Sequence, residues 1–252
     1  MYEEVEKRRA APDSVMIKAE PYDWPYDGDL DLARTALLCI DLQTDFNGPG
    51  GYVDLMGYDL NLTRRSLGPT RKMQDAARQA GMMVVHTREG HDPNWGNMPL
   101  NKYWRSKRIG APLGEAGQHG RVLIVGEPGQ DILPEVAPMP GEIVIDKPSK
   151  GAFTTTDIDL ILRSKGITHL IICGTTTDVC VAGIMREAND LGYECVVIED
   201  ATGATKWENH VAALEMVKMQ GGVFGCVSTS DNVVDGIRRA KEKRDRLMSQ
   251  QP

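Results

Sequence analysis

The chain has 252 residues, enough for one large α/β domain or two small ones, and its 41% hydrophobic and 26% charged composition is typical of a globular enzyme. A net charge of −7 argues against nucleic acid and membranes as partners, and no apolar run approaches the length of a membrane span. Five cysteines without a CxxC pair argue against a disulfide framework, and the N-terminus has no apolar signal-peptide core, so a cytoplasmic protein is expected.

Residues 1–33 are polar and interrupted by prolines, which predicts an N-terminal arm ahead of a single domain over residues 34–252. Apolar runs then alternate with helical patterns, with a long loop excursion at about 89–140. The predicted strands are 35–40, 82–85, 122–125, 142–146, 169–173, 194–198 and 222–227, and the predicted helices are 69–80, 157–165, 179–191, 206–219 and 232–247. This order predicts an α/β fold, a three-layer α-β-α arrangement around a mostly parallel sheet of about six strands.

Ligands of parallel sheets bind beyond the carboxyl ends of the strands, so the residues that follow the strands are the candidates for chemistry. Three reactive side chains follow predicted strands: Asp41 and Lys147 directly, and Cys180 after the turn 174–179. The remaining cysteines lie inside apolar strands, where a thiol is usually inert packing: Cys39, Cys173, Cys195 and Cys226.

Cys180 occurs where an apolar strand turns into a helix, within the stretch 174–181. The amides and positive dipole end of a helix N-terminus favour an anion, so this thiol is expected to ionise easily. The alternative for a single cysteine is structural packing beside a well-capped helix.

A carboxylate, an ammonium and a thiol at one site can perform acyl chemistry. Asp41 can take the thiol proton, and Lys147 can keep the carboxylate ionised and stabilise the thiolate. The main-chain amides around Thr176 and Cys180 can then face a developing oxyanion.

With these three motifs, DLQTDF, KPSKGAF and GTTTDVCV, the chain resembles the isochorismatase-like cysteine hydrolases over about residues 35–230. The resemblance implies a Rossmann-like fold, a triad of Asp41, Lys147 and Cys180, and no cofactor. It also implies a cis peptide bond, placed by position between Thr175 and Thr176, and a homotetramer.

Within that superfamily the chain looks most like the biuret hydrolases, in which an additional glutamine reads the substrate. Gln220 stands at that position, although a solvated helix C-terminus is the simpler interpretation of it. Nicotinamidases bind a metal through an Asp-x-His pair, but the corresponding loop 51–56 has no histidine, so no metal is expected.

Other residues near the predicted strand ends are weaker candidates. Phe46 could wall the substrate pocket or pack in the core, and Arg88 could meet a polar substrate or form a surface ion pair. Asn94, Trp95 and Lys102 lie in the excursion and could form a lid, although a solvated loop is the simpler interpretation of each. Asp178 is interpreted as a helix N-terminal residue and not as a second base.

These inferences predict a metal-independent amidohydrolase that cleaves biuret, a small-molecule ureide, to allophanate and ammonia through a cysteine thioester. The alternatives with the same chemistry are triuret, N-carbamoylsarcosine or ureidoacrylate as substrate. From other classes, a non-catalytic binding protein of the same fold and a thiol redox protein remain as rivals.

Overall fold

The computed structural model describes residues 1–250, and at its centre a six-stranded parallel sheet carries helices on both faces. The strands are β1 (Thr35–Ile40), β2 (Met83–Glu89), β3 (Ala116–Gly117), β4 (Gly120–Arg121), β5 (Ile143–Lys147), β6 (His169–Thr175), β7 (Glu194–Gly203) and β8 (Cys226–Ser228). The α-helices are α1 (Tyr2–Arg9), α2 (Thr44–Asn47), α3 (Tyr52–Leu55), α4 (Leu60–Arg64), α5 (Leu67–Ala80), α6 (Leu100–Arg108), α7 (Ile158–Ser164), α8 (Ala182–Asp190), α9 (Trp207–Gly222) and α10 (Ser230–Ser249).

The main sheet has the order β5-β2-β1-β6-β7-β8, with β1 and β6 at its centre. Every residue of these two strands is buried, because helices cover both faces. Leu37 and Cys39 pack toward α5 and α10, whereas Leu38 and Ile40 pack toward α7, α8 and α9. The parallel pairing brings the carboxyl ends of β1, β2, β5 and β6 to one edge of the sheet.

The predicted three-layer fold is confirmed, and the main differences lie at element ends and in the excursion. β2 continues to Glu89 and β7 to Gly203, beyond the apolar runs that predicted them. The strand predicted at 122–125 is wrong: the hairpin of β3 and β4 precedes it, and the segment then runs irregularly through the small apolar cluster of Val122 and Leu123. Helix α6 forms inside the excursion, where no helix was predicted.

The N-terminal arm packs against the sheet and α10. Trp24 and Ile17 are wholly buried in the same cluster as the α10 side chains. Glu20 pairs with Val227 at the β8 edge, so the arm covers the end of the sheet. Among residues 1–250, no helix has the length and apolarity needed to cross a bilayer.

Gly174 in β6 lies against β1 at the edge where the reactive residues gather. Its φ is 118°, and a Cβ built there would approach the Ile40 carbonyl oxygen to 2.0 Å. Because that contact is with backbone, a larger residue would force the two central strands apart.

We therefore expect Gly174→Ala to lower the free energy of unfolding by about 3 kcal/mol or more, from clash and backbone strain together. Gly166→Ala is the matched control, because Gly166 also has a positive φ (72°) but open space around its Cβ position. That control should cost only about 1–2 kcal/mol, the strain alone. Equal losses in denaturant unfolding would contradict the steric argument.

Candidate active site

A buried ion pair connects the ends of β1 and β5. Lys147 Nζ lies 2.7 Å from Asp41 Oδ2, and both side chains are wholly buried. The remaining Lys147 contacts are the carbonyls of Ser149 (2.8 Å) and Lys150 (3.3 Å). The Thr87 hydroxyl donates to Asp41 Oδ1 at 2.7 Å, so the carboxylate is fixed from two sides. The predicted meeting of Asp41 and Lys147 is present in the structure.

Cys180 lies on a turn of π-helix, Thr177–Val181, between β6 and α8. The Thr175–Thr176 peptide bond that precedes this turn is cis, as the resemblance implied. The Thr175 hydroxyl donates to the Asp41 carbonyl at 2.9 Å, which ties the nucleophile turn to the acid. Thr176 and Cys180 thus stand at the same sheet edge as the ion pair, and the role of their amides as an oxyanion hole stays a prediction.

The side chain that touches the thiol is one that the sequence interpretation missed. Glu89, the last residue of β2, is wholly buried, and Cys180 Sγ donates to its Oε2 at 3.6 Å. Its other contacts are Lys102 Nζ at 2.7 Å and Lys150 Nζ at 2.9 Å. The sequence does carry a signal for Glu89. It is a carboxylate one residue after Arg88, and side chains alternate along a strand, so Glu89 points to the face opposite Arg88.

Burial strongly affects the protonation of this cluster. Desolvation raises the pKa of the Cys180 thiol, and the pull of Lys147 in the opposite direction does not compensate for it. The expectation of an easily ionised thiol is therefore wrong for the resting site, where burial outweighs the helix dipole. Burial also opposes charge on Lys147, but Asp41 beside it raises the lysine pKa above its usual value.

Asp41, Glu89 and Cys180 offer three ligand atoms within 4.8 Å of one another, the arrangement that could hold a metal ion. Each carboxylate, however, is already paired with at least one lysine ammonium. A cation would have to displace these ammonium groups or share the site with them, so the donor set fits a metal poorly.

The weaker sequence candidates are engaged elsewhere. Arg88 forms a two-pronged ion pair with Asp146 (2.8 and 3.0 Å) and contacts Asp131. Of the two interpretations of Arg88, the structure therefore shows the ion pair. Phe46 packs edge-on against Tyr52 in a small apolar cluster. Asp178 accepts a hydrogen bond from Asn209 at 2.9 Å, so it holds the start of α9 against the nucleophile turn.

The structure does not bring Gln220 to the thiol within one chain. This residue is exposed, with a φ of 55°, where α9 ends ahead of β8. Because α9 runs back from the carboxyl end of β7 to the beginning of β8, Gln220 lies at the opposite edge of the sheet.

Helix α6 and the loop after β5 form the two sides of a cleft of about 490 Å³. Lys102 comes from α6 and Lys150 from the loop, and both also contact Glu89 beneath the cleft. Lys102 additionally donates to the Pro148 carbonyl at 2.8 Å. The part of the lid hypothesis that concerns Lys102 therefore has a structural basis.

Comparison with known proteins identifies the domain to which this site belongs. The model of the isochorismatase domain matches residues 35–231. A curated relative, ureidoacrylate amidohydrolase RutB of Caulobacter segnis, is 31% identical over 228 residues, covering 87% of this chain and 91% of that protein.

Solved structures share the fold at lower identity. A cysteine hydrolase from Pseudomonas syringae pv. phaseolicola 1448A superposes with a TM-score of 0.71 at 22% identity, covering 92% of this chain and 99% of that one. N-carbamoylsarcosine amidase from Thermoplasma acidophilum gives a TM-score of 0.60 at 24% identity, covering 79% and 97% of the two chains.

The raised pKa of Cys180 has a measurable consequence. Because the thiolate is the reactive form, modification of Cys180 by methyl methanethiosulfonate should accelerate with pH to beyond pH 9.0, the ordinary cysteine value. The second-order rate is measured with Cys180→Ser as the blank. A plateau below about pH 8 would mean that the resting enzyme already holds a thiolate, contrary to this expectation.

Proposed function

The chain belongs to the isochorismatase family, and on this basis we propose that it is an amidohydrolase that cleaves biuret to allophanate and ammonia. The observation that carries the proposal is the wholly buried Asp41–Lys147 pair, 2.7 Å apart, beside the thiol of Cys180. An acid, an ammonium and a nucleophile in a buried site are the groups that cysteine-dependent acyl transfer requires.

In this proposal the reaction proceeds through a thioester. Asp41 takes the proton of Cys180, and Sγ attacks one carbonyl carbon of biuret while the amides of Thr176 and Cys180 hold the oxyanion. The carbon–nitrogen bond breaks, and ammonia leaves with the proton returned by Asp41. Water then loses a proton to Asp41 and cleaves the thioester, which releases allophanate and restores the thiol. Lys147 keeps the carboxylate ionised and oriented between these steps.

The acceptors around the thiol support a substrate rich in N–H groups. Two carboxylates, Asp41 and Glu89, approach Cys180, and both are acceptors when ionised. Lys102 and Lys150 bind Glu89, and Lys147 binds Asp41. The N–H groups of biuret can donate to the carboxylate oxygens beside the thiol, whereas a substrate carboxylate has no hydrogen to donate to them.

Ureidoacrylate is the main alternative, because the relative at 31% identity is a ureidoacrylate amidohydrolase. N-carbamoylsarcosine and triuret would use the same chemistry. A non-catalytic binding protein of this fold is the rival from another class.

We expect ammonia release to be fastest with biuret in a panel that also contains triuret, ureidoacrylate, N-carbamoylsarcosine and nicotinamide. Cys180→Ser should retain less than about one thousandth of the turnover, because an alkoxide forms far less readily than a thiolate. The measurement is the steady-state rate with each compound. A higher kcat/KM for ureidoacrylate would overturn the substrate, and an active Cys180→Ser would overturn the mechanism.

The same assay tests metal independence. Exhaustive chelation should leave the rate unchanged, because the carboxylates that could bind a cation are paired with lysines. Loss of activity on chelation with recovery on adding zinc would refute this part of the proposal.

The role of Gln220 in reading biuret requires a second chain, because within one chain the residue lies at the far sheet edge. The proposed homotetramer offers such a chain, and α9 carries exposed apolar side chains toward solvent, among them Met216 (47% exposed) and Met219 (55%). Packing of α9 against a neighbouring copy would cover these side chains and bring Gln220 to another site. Its amide can donate to one carbonyl and accept from one nitrogen of biuret.

We expect Gln220→Ala to lower kcat/KM for biuret by about tenfold or more, the effect of leaving buried polar groups unpaired. Co-expression of Gln220→Ala chains with Cys180→Ser chains should then exceed the summed activity of the two parents, since a mixed assembly contains an intact site. If co-expression gives no gain in activity, Gln220 does not act in a neighbouring site. If Gln220→Ala alone keeps its kcat/KM for biuret, Gln220 does not bind the substrate.

A further inference from the structure

Glu89 holds a position that the triad chemistry leaves unassigned. It is wholly buried at the end of β2, and its Oε2 is the acceptor of the Cys180 thiol at 3.6 Å. Asp41, in contrast, directs its oxygens to Thr87 and Lys147, each at 2.7 Å. The thiol thus donates its hydrogen bond to Glu89 and not to Asp41, the carboxylate assigned to take its proton.

The charge of Glu89 is secured by three lysines. Burial alone would raise the pKa of this carboxyl, but Lys150, Lys147 and Lys102 together bring it well below its usual range. A carboxylate so strongly held in the ionised form is a weak base that takes up a proton poorly, and it is a persistent hydrogen-bond acceptor. Its chemical use is therefore to bind an N–H or S–H group.

The tetrahedral intermediate defines which group Glu89 meets. Four substituents surround the attacked carbon: the sulfur, the oxyanion, the departing nitrogen and the nitrogen that stays with the acyl group. In the proposed mechanism the oxyanion faces the main-chain amides of Thr176 and Cys180, and the departing nitrogen receives the proton that Asp41 carries. The nitrogen that stays is left to face Glu89, beneath the cleft between α6 and the Lys150 loop.

We propose that Glu89 is a specificity-determining residue that accepts a hydrogen bond from the retained N–H of the substrate. In the resting site the thiol occupies this acceptor, and the substrate N–H replaces it on binding. The displaced thiol proton then transfers to Asp41, and Glu89 remains ionised throughout. The identity of the ligand as a ureide rests on the proposed function, but the acceptor role does not.

The test combines Glu89→Gln with biuret methylated at its bridging nitrogen, which removes the retained N–H. In the wild type, methylation should lower kcat/KM by about tenfold or more, as expected for a lost hydrogen bond to a charged group. In Glu89→Gln, biuret itself should be slower by a similar factor, and methylation should add little. Equal losses on methylation in both enzymes would overturn the proposal, since only a direct contact produces coupling.

A second measurement does not depend on turnover and separates this proposal from the proposed function. Iodoacetamide carries an amide N–H, whereas methyl methanethiosulfonate has none, so the ratio of their rates with Cys180 should fall in Glu89→Gln. An unchanged ratio overturns the acceptor role. If the wild type hydrolyses no ureide, the proposed function fails, and this ratio still decides the role of Glu89.

Two further variants control for structure. Glu142→Gln removes a mostly buried carboxylate that binds Arg78 at 2.7 Å and His86 at 2.8 Å, just ahead of β5. It should lower the melting temperature and leave both ratios unchanged. Glu89→Asp keeps the charge but withdraws the acceptor by one methylene. Methylation of the bridging nitrogen should therefore add little to its loss with biuret, as in Glu89→Gln. This variant keeps the test available if Glu89→Gln folds poorly.

Discussion

The constraint on which the site depends is the burial of charge at one edge of the sheet. Asp41, Glu89 and Lys147 are wholly buried, and two further lysines complete the cluster. An isolated ion in such a place costs several kcal/mol, and the cluster is tolerable only because each charge has a partner at hydrogen-bond distance. The ends of β1, β2 and β5 supply Asp41, Glu89 and Lys147, and α6 and the loop after β5 add Lys102 and Lys150. Correct pairing of the sheet and correct electrostatics therefore arise together.

The backbone determines how the nucleophile stands relative to the acid. Thr175 bonds the Asp41 carbonyl, and Gly174 lets β6 approach β1 closely enough for that bond to form. The position of the nucleophile turn relative to Asp41 is thus set by contacts between the two central strands. Preorganisation of this kind lowers the reorganisation needed in the transition state.

The fold and the meeting of Asp41, Lys147 and Cys180 were predictable because both follow from apolar runs and from the residues at their ends. Asp41 directly follows β1, Lys147 ends β5, and Cys180 lies on the turn after β6. Parallel pairing of these strands then brings the three side chains to one edge of the sheet. Glu89 was missed because β2 extends past its apolar run, so a charged pair at its end gave no strand signal. The placement of α6 could not be predicted either, since its contacts are lysine ion pairs and not a periodic apolar face.

Helix α6 is held to the rest of the molecule by few side chains. Ser106 is its one buried residue, and Leu100 and Trp104 are largely exposed. A segment with so little buried apolar area opens at a free energy far below that of global unfolding. Access to Cys180, which is 2% exposed, can therefore be governed by local opening of α6 while the reactivity of the thiol is governed by the rigid strands. Entry and chemistry are in this way separate quantities, and a substitution in α6 that spares Lys102 can alter the rate of entry without disturbing the charged cluster at the strand ends.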